Sequence, residues 1–508
     1  MNTPLPEERD LKILFLSSEI APFSCTGSLG EISNALPKAL KRQGHDIRVI
    51  TPRYRIIGER KYGLRDVARL RSLPVKIGNV EHESSILSGF IPKSKVQVYF
   101  LDNPEFFDRE GIYNDDKSSS EWHDNQKRFA FLNHGALHLM LHLQWFPDII
   151  HCNDWQTALV PYLMCTDKRY NSEFANTRSV LQIHNIKQHG AYAADSLSEY
   201  GINPEEIQPG HPLELHKQMS FLKGGITTAD QLVFVRPTFQ YPEDHTGEID
   251  EVLKTNLSMR ESSIHNVPNC IDPQWNPRND NMLEYPFSEV DFIVGKETNK
   301  ASLQEEYGLK DDPEAPVIAV IAEQTPFQGL DLLEQSASKL LEIDAQWIFL
   351  GSGDDAFQKL VASWQSEFPD RVASDPDYSK TKAHQIIAGS DIYLSIYKDT
   401  PYDMNPMHCL LYGTIPVLRN PELSDKVITN IVGHPDSGCC FTFDDYKPEA
   451  LLKSLEKAIE IFQQKDQWHE IQERGIQCDF NWDVAVNQLV DLYRKIISEP
   501  KFCSDSVE

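Results

Sequence analysis

Three short stretches carry residue types whose spacing can do chemistry. Residues 22–31 read Pro-Phe-Ser-Cys-Thr-Gly-Ser-Leu-Gly-Glu directly after an apolar run, so Gly27 and Gly30 can let backbone N–H groups close on an anion where a helix begins. The same G-x-x-G spacing serves a plain tight turn, and both readings stand. Gly351, Ser352, Gly353 and Asp354 form a second turn behind the apolar residues 346–350, suited to a nucleotide ribose or to chain reversal alone. His184 closes a third apolar run, where an imidazole serves either as a core group or as one facing a ligand.

The charge of the chain limits what can reach these turns. Its 508 residues include 76 acidic and 49 basic side chains, a net charge of −27 spread along the sequence. Such a surface repels nucleic acid and anionic membrane, and an anionic substrate needs a place where cations or N–H groups concentrate against that field. The length implies two to four domains and excludes a peptide hormone, a small disulfide scaffold or a lone binding module. A hydrophobic share of 40% is ordinary for a globular chain. No run approaches the ~18 apolar residues of a membrane span, and the polar start MNTPLPEERD lacks a signal-peptide pattern. The expected location is the cytoplasm. Nine cysteines without a C-x-x-C spacing fit reduced thiols, and no metal or cofactor is implied.

The elements that must position the turns follow a repeated grammar. Residues 12–18, 47–51, 96–101, 148–151, 180–184 and 231–235 are short β-branched or apolar runs separated by helix-like stretches, and the rhythm restarts at 317–322, 346–350, 391–395, 415–418 and 440–443. The expected class is α/β, with two doubly wound, Rossmann-like domains facing a cleft, because ligands sit at the carboxyl ends of strands in open parallel sheets. The expected division is 1–264 for the first domain, 265–480 for the second, and 481–508 for a terminal helix and tail packing back on the first. Residues 450–464 and 483–497 have helical spacing. Trp482 is expected to pack the last helix to the core, and the tail beyond Pro500 to fray.

The chain resembles the bacterial glycogen synthase and starch synthase family, retaining glucosyltransferases of the GT-B fold that use ADP-glucose. The resemblance runs from Lys12 to about Ile497 and is carried by KILFLSSEIAPFSCTGSLGE, PDIIHCNDWQTALVPYL, LQIHNIKQHGAY, FLKGGITTAD, GKETNKASLQEEYGL, FLGSGD and FDDYKPEALL, in the family's order. It implies an acceptor side in the first domain and a nucleotide-sugar side in the second. The implied partners are α-glucan, a nucleotide sugar and a partner enzyme of glycogen metabolism. It places Asp154, His184 and Asn185 near the reacting sugar, and Gly27, Gly30, Gly329, Gly351 and Gly353 around the nucleotide and its phosphates.

Set against the family's motifs, the cationic positions are changed. The first turn has Cys25 where the family has lysine, and Ser28 where it has its second glycine. Glu323 and Gln328 stand where the family's arginine and lysine clamp the diphosphate. Thr400 occupies the place of the glutamate beside the reacting sugar, with Asp399 next to it as a substitute. Pro421 and Glu422 interrupt the family's Thr-Gly-Gly-Leu turn, and Gln156 replaces a histidine. Lys296, Asn299 and Lys300 retain a family spacing and read as the solvated face of a helix start. Losing one preorganised donor to a developing oxyanion costs ~2.7–4 kcal/mol of barrier. With strong non-additivity, a combined rise of roughly 6 kcal/mol slows transfer about ten-thousand-fold. The sequence thus implies a family member whose transfer is lost or strongly reduced, against the alternative of an active α-1,4-glucan glucosyltransferase with an altered donor site.

Overall fold

The structure is a computed structural model. It describes residues 9–115, 120–193, 200, 207–235, 250–322, 329–351, 353, 355–397, 404–419 and 428–504. The chain separates into two compact units, residues 1–270 with 482–508, and residues 271–481.

The first unit is built on Lys12–Leu16 (β1), Asp46–Pro52 (β2), Arg65–Asp66 (β3), Leu73–Ile77 (β4), Val80–Phe90 (β5), Gln97–Asp102 (β6), Ile149–Asn153 (β7) and Arg178–Ile183 (β8). Ala191–Ala193 (β9), Glu214–Leu215 (β10) and Gln218–Ser220 (β11) make a small antiparallel sheet, and Gln231–Phe234 (β12) and Ile264–Asn266 (β13) complete the main one. The main order is β13-β12-β8-β7-β1-β2-β6-β5-β3, parallel from β13 to β6, with β5 antiparallel to β3, β4 and β6. Strands covered on both faces are apolar throughout, which is why β7 is wholly buried. By contrast β4 buries only alternate residues, as a half-covered antiparallel strand does, and a search for continuous apolar runs passes over it.

The turn after β1 opens the helix Ser28–Arg42, whose apolar face packs beside the C-terminal helix Trp482–Ile497. Trp482 is buried in that return. Two sequence expectations fail here. The tail beyond Pro500 is tied down through residue 503: Phe502 N–H donates to Asp230 Oδ1 at 2.8 Å, and the Arg260 guanidinium lies 3.7 Å from the Phe502 ring centre. Cys503 is joined to Cys165 by a disulfide, so those two are not thiols. The pairing spans 338 positions and is created only by the chain's return, which no local spacing announces.

The second unit holds six parallel strands, Val317–Ile321 (β14), Gln346–Leu350 (β15), Val372–Asp375 (β16), Ile392–Ser395 (β17), Ile415–Arg419 (β18) and Phe441–Phe443 (β19), in the order β16-β15-β14-β17-β18-β19. Trp347, Phe349, Trp364 and Phe441 anchor its core. Among the described residues no helix is long and apolar enough to cross a membrane.

Candidate active site

In the first sheet the strand order reverses between β1 and β7, and at such a switch point the loops beyond the carboxyl ends diverge and leave room for a ligand. The two loops concerned carry the sequence-predicted Gly27 and Asp154, with Gly30 in the first turn of the helix Ser28–Arg42. Asp154 adopts φ +54, a left-handed conformation that aspartate tolerates better than most residues. Its carboxylate accepts from the backbone N–H groups of His184 (2.7 Å) and Asn185 (3.2 Å), which fastens the loop after β7 to the loop after β8. Burial pushes the Asp154 carboxyl up to about 7, against the lowering effect of those two hydrogen bonds.

His184 is buried, and its Nε2 lies 3.2 Å from Asn153 Oδ1. A carbonyl oxygen only accepts, so Nε2 carries the proton and Nδ1 bears the lone pair. That Nδ1 is buried and has no partner among the described residues, and Gln156 Oε1 is in the same condition. Burial pushes the imidazole down to about 3, so it is neutral.

The turn after β1 is organised by a carboxyl group that sequence reasoning missed. Glu19 is 2% exposed, and both the N–H and the hydroxyl of Thr26 donate to it, the latter at 2.8 Å. Tyr113 O–H donates to Glu19 Oε1 at 2.6 Å and in turn accepts from the Ser18 hydroxyl at 2.7 Å. Burial raises the Glu19 pKa, and the nearby Asp154 charge adds a smaller push in the same direction. Cys25 is exposed, its thiol donates to Gly27 O at 3.2 Å, and it packs against Gly30. Nearby, the buried Arg128 is committed to its own surroundings, donating to Phe106 O, Ile112 O and Asn125 Oδ1. The only sequence cue for Glu19 is an acidic residue three places beyond Leu16, the end of β1, and Tyr113 is 94 positions away.

The second unit reverses its strand order between β14 and β17. Gly329 (φ +127) and Gly351 (φ +115) stand there, where a Cβ on the first would meet Ile396 O at 2.7 Å and one on the second would collide with Ala322 O. Tyr397 O–H donates to Ile321 O at 2.8 Å, linking the two strand ends. Gly353 is also left-handed and lies against Phe357. Glu323, Gln328, Asp399, Thr400, Pro421 and Glu422 lie outside the described residues, as do Ser352 and Asp354.

Lys296, Asn299 and Lys300 do not form a solvated face. They sit on the helix Phe292–Glu306 and are 5%, 6% and 6% exposed. Lys296 Nζ donates to Ser390 O (2.5 Å) and Thr414 Oγ1 (2.6 Å), and burial brings its ammonium down to about 7. Lys300 pairs with Asp391 at 2.8 Å. The helix turns this side toward the helix Lys380–Gly389 and the loops entering β17 and β18, where flexible stems carry the charges to carbonyls that need donors.

Comparison with known proteins defines the class first. The catalytic domain of starch synthase IV from Arabidopsis thaliana bound to ADP and acarbose matches with a TM-score of 0.87 and 26% identity, covering 97% of this chain and 100% of that one. A sucrose-phosphate synthase from Thermosynechococcus elongatus shares the fold at a TM-score of 0.56 and 12% identity, covering 96% and 99%. The two α/β units have the GT-B fold of the starch synthase structure. A family profile described as the starch synthase catalytic domain matches residues 12–255. The glycogen synthases of Geotalea daltonii and Syntrophotalea carbinolica are each 33% identical over 96% of this chain and 99% of their own length. The chain belongs to the glycogen synthase and starch synthase family.

Proposed function

We propose that this member of the family binds α-glucan but transfers glucose from a nucleotide sugar only very slowly, acting in the cytoplasm as a glucan-binding or regulatory protein beside a partner enzyme of glycogen metabolism. One observation carries the reading. At the turn where relatives present a lysine to the leaving diphosphate, this chain presents the Cys25 thiol, folded onto Gly27 O, while the adjoining Thr26 donors are held by the Glu19 carboxyl. A departing diphosphate gains charge, and a thiol beside a carboxyl group offers it none of the compensation that a lysine ammonium would. The substitutions to Glu323, Gln328, Thr400 and Glu422 point the same way in the sequence. The glucan part is supported by His184 Nδ1 and Gln156 Oε1, buried acceptors that suit the hydroxyl donors of a sugar.

Incubating the protein with labelled ADP-glucose and glycogen tests this. Transfer about ten-thousand-fold or more below an ordinary ~1–10³ s⁻¹ is expected, together with co-sedimentation with glycogen. Turnover within the ordinary range overturns the proposal.

The opposite reading, an active glucosyltransferase elongating α-1,4-glucan from ADP-glucose, is favoured by the intact lattice of Asp154, His184 and Asn185. It requires nucleotide binding. A thermal-shift titration in which saturating ADP leaves the melting temperature unmoved removes it, because a ligand of the native state must stabilise that state.

A further inference from the structure

Three cysteines gather in the second unit away from the turns described above. Cys439 and Cys440 lead into β19, and Cys478 follows the helix Lys465–Ile476. Cys440 is wholly buried, with its thiol donating to Thr429 O at 3.3 Å. Cys439 is 1% exposed, its backbone N–H donates to Thr429 O at 3.0 Å, and its sulfur shares a hydrogen bond with Cys478. Cys478 is half-buried, with its sulfur 3.4 Å from Arg474 O. Arg474 donates Nη1 to Pro435 O at 2.6 Å, which holds its guanidinium against the loop leading to Cys439. Among the described residues no group of three or more His, Cys, Asp or Glu is placed to hold a metal ion.

We propose that Cys439 and Cys478 are a reversible dithiol–disulfide pair, a redox modification site that covalently ties the loop ahead of β19 to the end of the helix Lys465–Ile476. Two sulfurs already in hydrogen-bond contact need only a short approach to bond, and the division of exposure gives each a role. The oxidant is a low-molecular-weight disulfide. Cys478, the more open thiol, loses its proton to solvent and attacks one sulfur of that disulfide, whose S–S bond breaks and releases one thiolate. The Cys439 sulfur then attacks the Cys478 sulfur of the mixed disulfide, forming the internal S–S bond and releasing the second thiolate. Two electrons pass from the protein to the small disulfide, and the two cysteine protons are matched by the two small thiols formed. Before oxidation the hydrogen bond with Cys478 lowers the Cys439 thiol despite burial, and once Cys478 is in the mixed disulfide the Thr429 backbone and the Arg474 charge still act in that direction, which favours this second attack.

The tie has a defined place in the chain. Residues 420–423, where the family keeps its Thr-Gly-Gly-Leu turn, end six positions before Thr429. Phe480, two positions beyond Cys478, accepts a hydrogen bond from Ile271 N–H at 3.0 Å, beside both points where the chain passes between its units. Oxidation therefore joins the segment behind that turn to the segment at the crossing. The proposal is independent of whether transfer activity persists.

The full-length protein is equilibrated in glutathione buffers of stepped oxidised-to-reduced ratio, alkylated, digested with trypsin and mapped by mass spectrometry. Beside the Cys165–Cys503 pair, the expected result is one further peptide pair joined through Cys439 and Cys478, formed and reversed about a single midpoint. It is retained in Cys440→Ser and absent in Cys478→Ser. Absence of the joined pair in the most oxidising buffer overturns the proposal. So does linkage through Cys440 in the wild type, or loss of the pair in a folded Cys440→Ser protein. Because Cys478 is the more open position, its variant keeps the test decisive where Cys439→Ser fails to fold.

Discussion

Replacing Asp154 by Asn should change how stability depends on pH more than it changes structure. The amide keeps an oxygen for the N–H groups of His184 and Asn185, and asparagine tolerates the φ of +54. What it removes is a buried ionisation. With a folded pKa of about 7 against an ordinary 3.8, the wild-type carboxyl favours folding in its protonated form, and that contribution is lost as pH rises through about 7. Between pH 5 and pH 8 the loss is about 3 kcal/mol, and Asp154→Asn does not incur it. Because the chain has two units, a local readout is preferable to a global unfolding curve. Hydrogen exchange of the peptide covering residues 180–190, compared between variant and wild type at the same pH, reports the opening of this lattice. The protection ratio of variant over wild type should rise about a hundredfold from pH 5 to pH 8. An identical ratio at both values would refute the idea that a desolvated carboxyl sits at the centre of the site.

Two other outcomes follow from buried charge in the second unit. Lys300→Met should destabilise that unit by about 3–5 kcal/mol in urea unfolding, because Asp391, which also accepts from Val317 N–H at 2.9 Å, stays behind as an unpaired buried carboxylate. Adding Asp391→Asn should recover part of the loss. His408, stacked 3.8 Å from Trp275, has no hydrogen-bond partner for either ring nitrogen among the described residues, and burial holds its pKa well below 6.5, with the His384 and Lys380 charges adding to the effect. Neutral burial therefore favours folding above pH 6.5, and about 2 kcal/mol is lost on acidifying from pH 7.5 to 5. In His408→Leu the melting temperature should fall less over the same interval, and an unchanged slope contradicts the assignment.

The sheets were largely legible because parallel strands covered on both faces leave a simple trace. Residues 12–18, 148–151 and 346–350 are such runs, and each lies on a strand. The edge strand β4 leaves a weaker one, since half its residues face solvent. Gly351 was legible as a turn residue and Gly329 came from family resemblance, but the carbonyls that require them, Ile396 O and Ala322 O, belong to other strand ends. Asp154, His184 and Asn185 came from family resemblance, and what they do for one another needed the fold. Glu19 gave too little signal, because an acidic residue after a strand is usually solvated and its partner Tyr113 is remote in sequence. Lys296 and Lys300 misled for the converse reason: charge suggests water, whereas here it reaches carbonyls and a carboxylate under the helix.

The second unit is one continuous stretch of chain, residues 271–481, whereas the first is completed only by residues 482–508. A ribosome therefore releases every residue of the later unit before it delivers the helix that lies against Ser28–Arg42 in the earlier one. Synthesis order and completion order are inverted. A chain cut short at residue 481 and released would carry a finished insert within an unfinished host, its Ser28–Arg42 surface still open to chaperones.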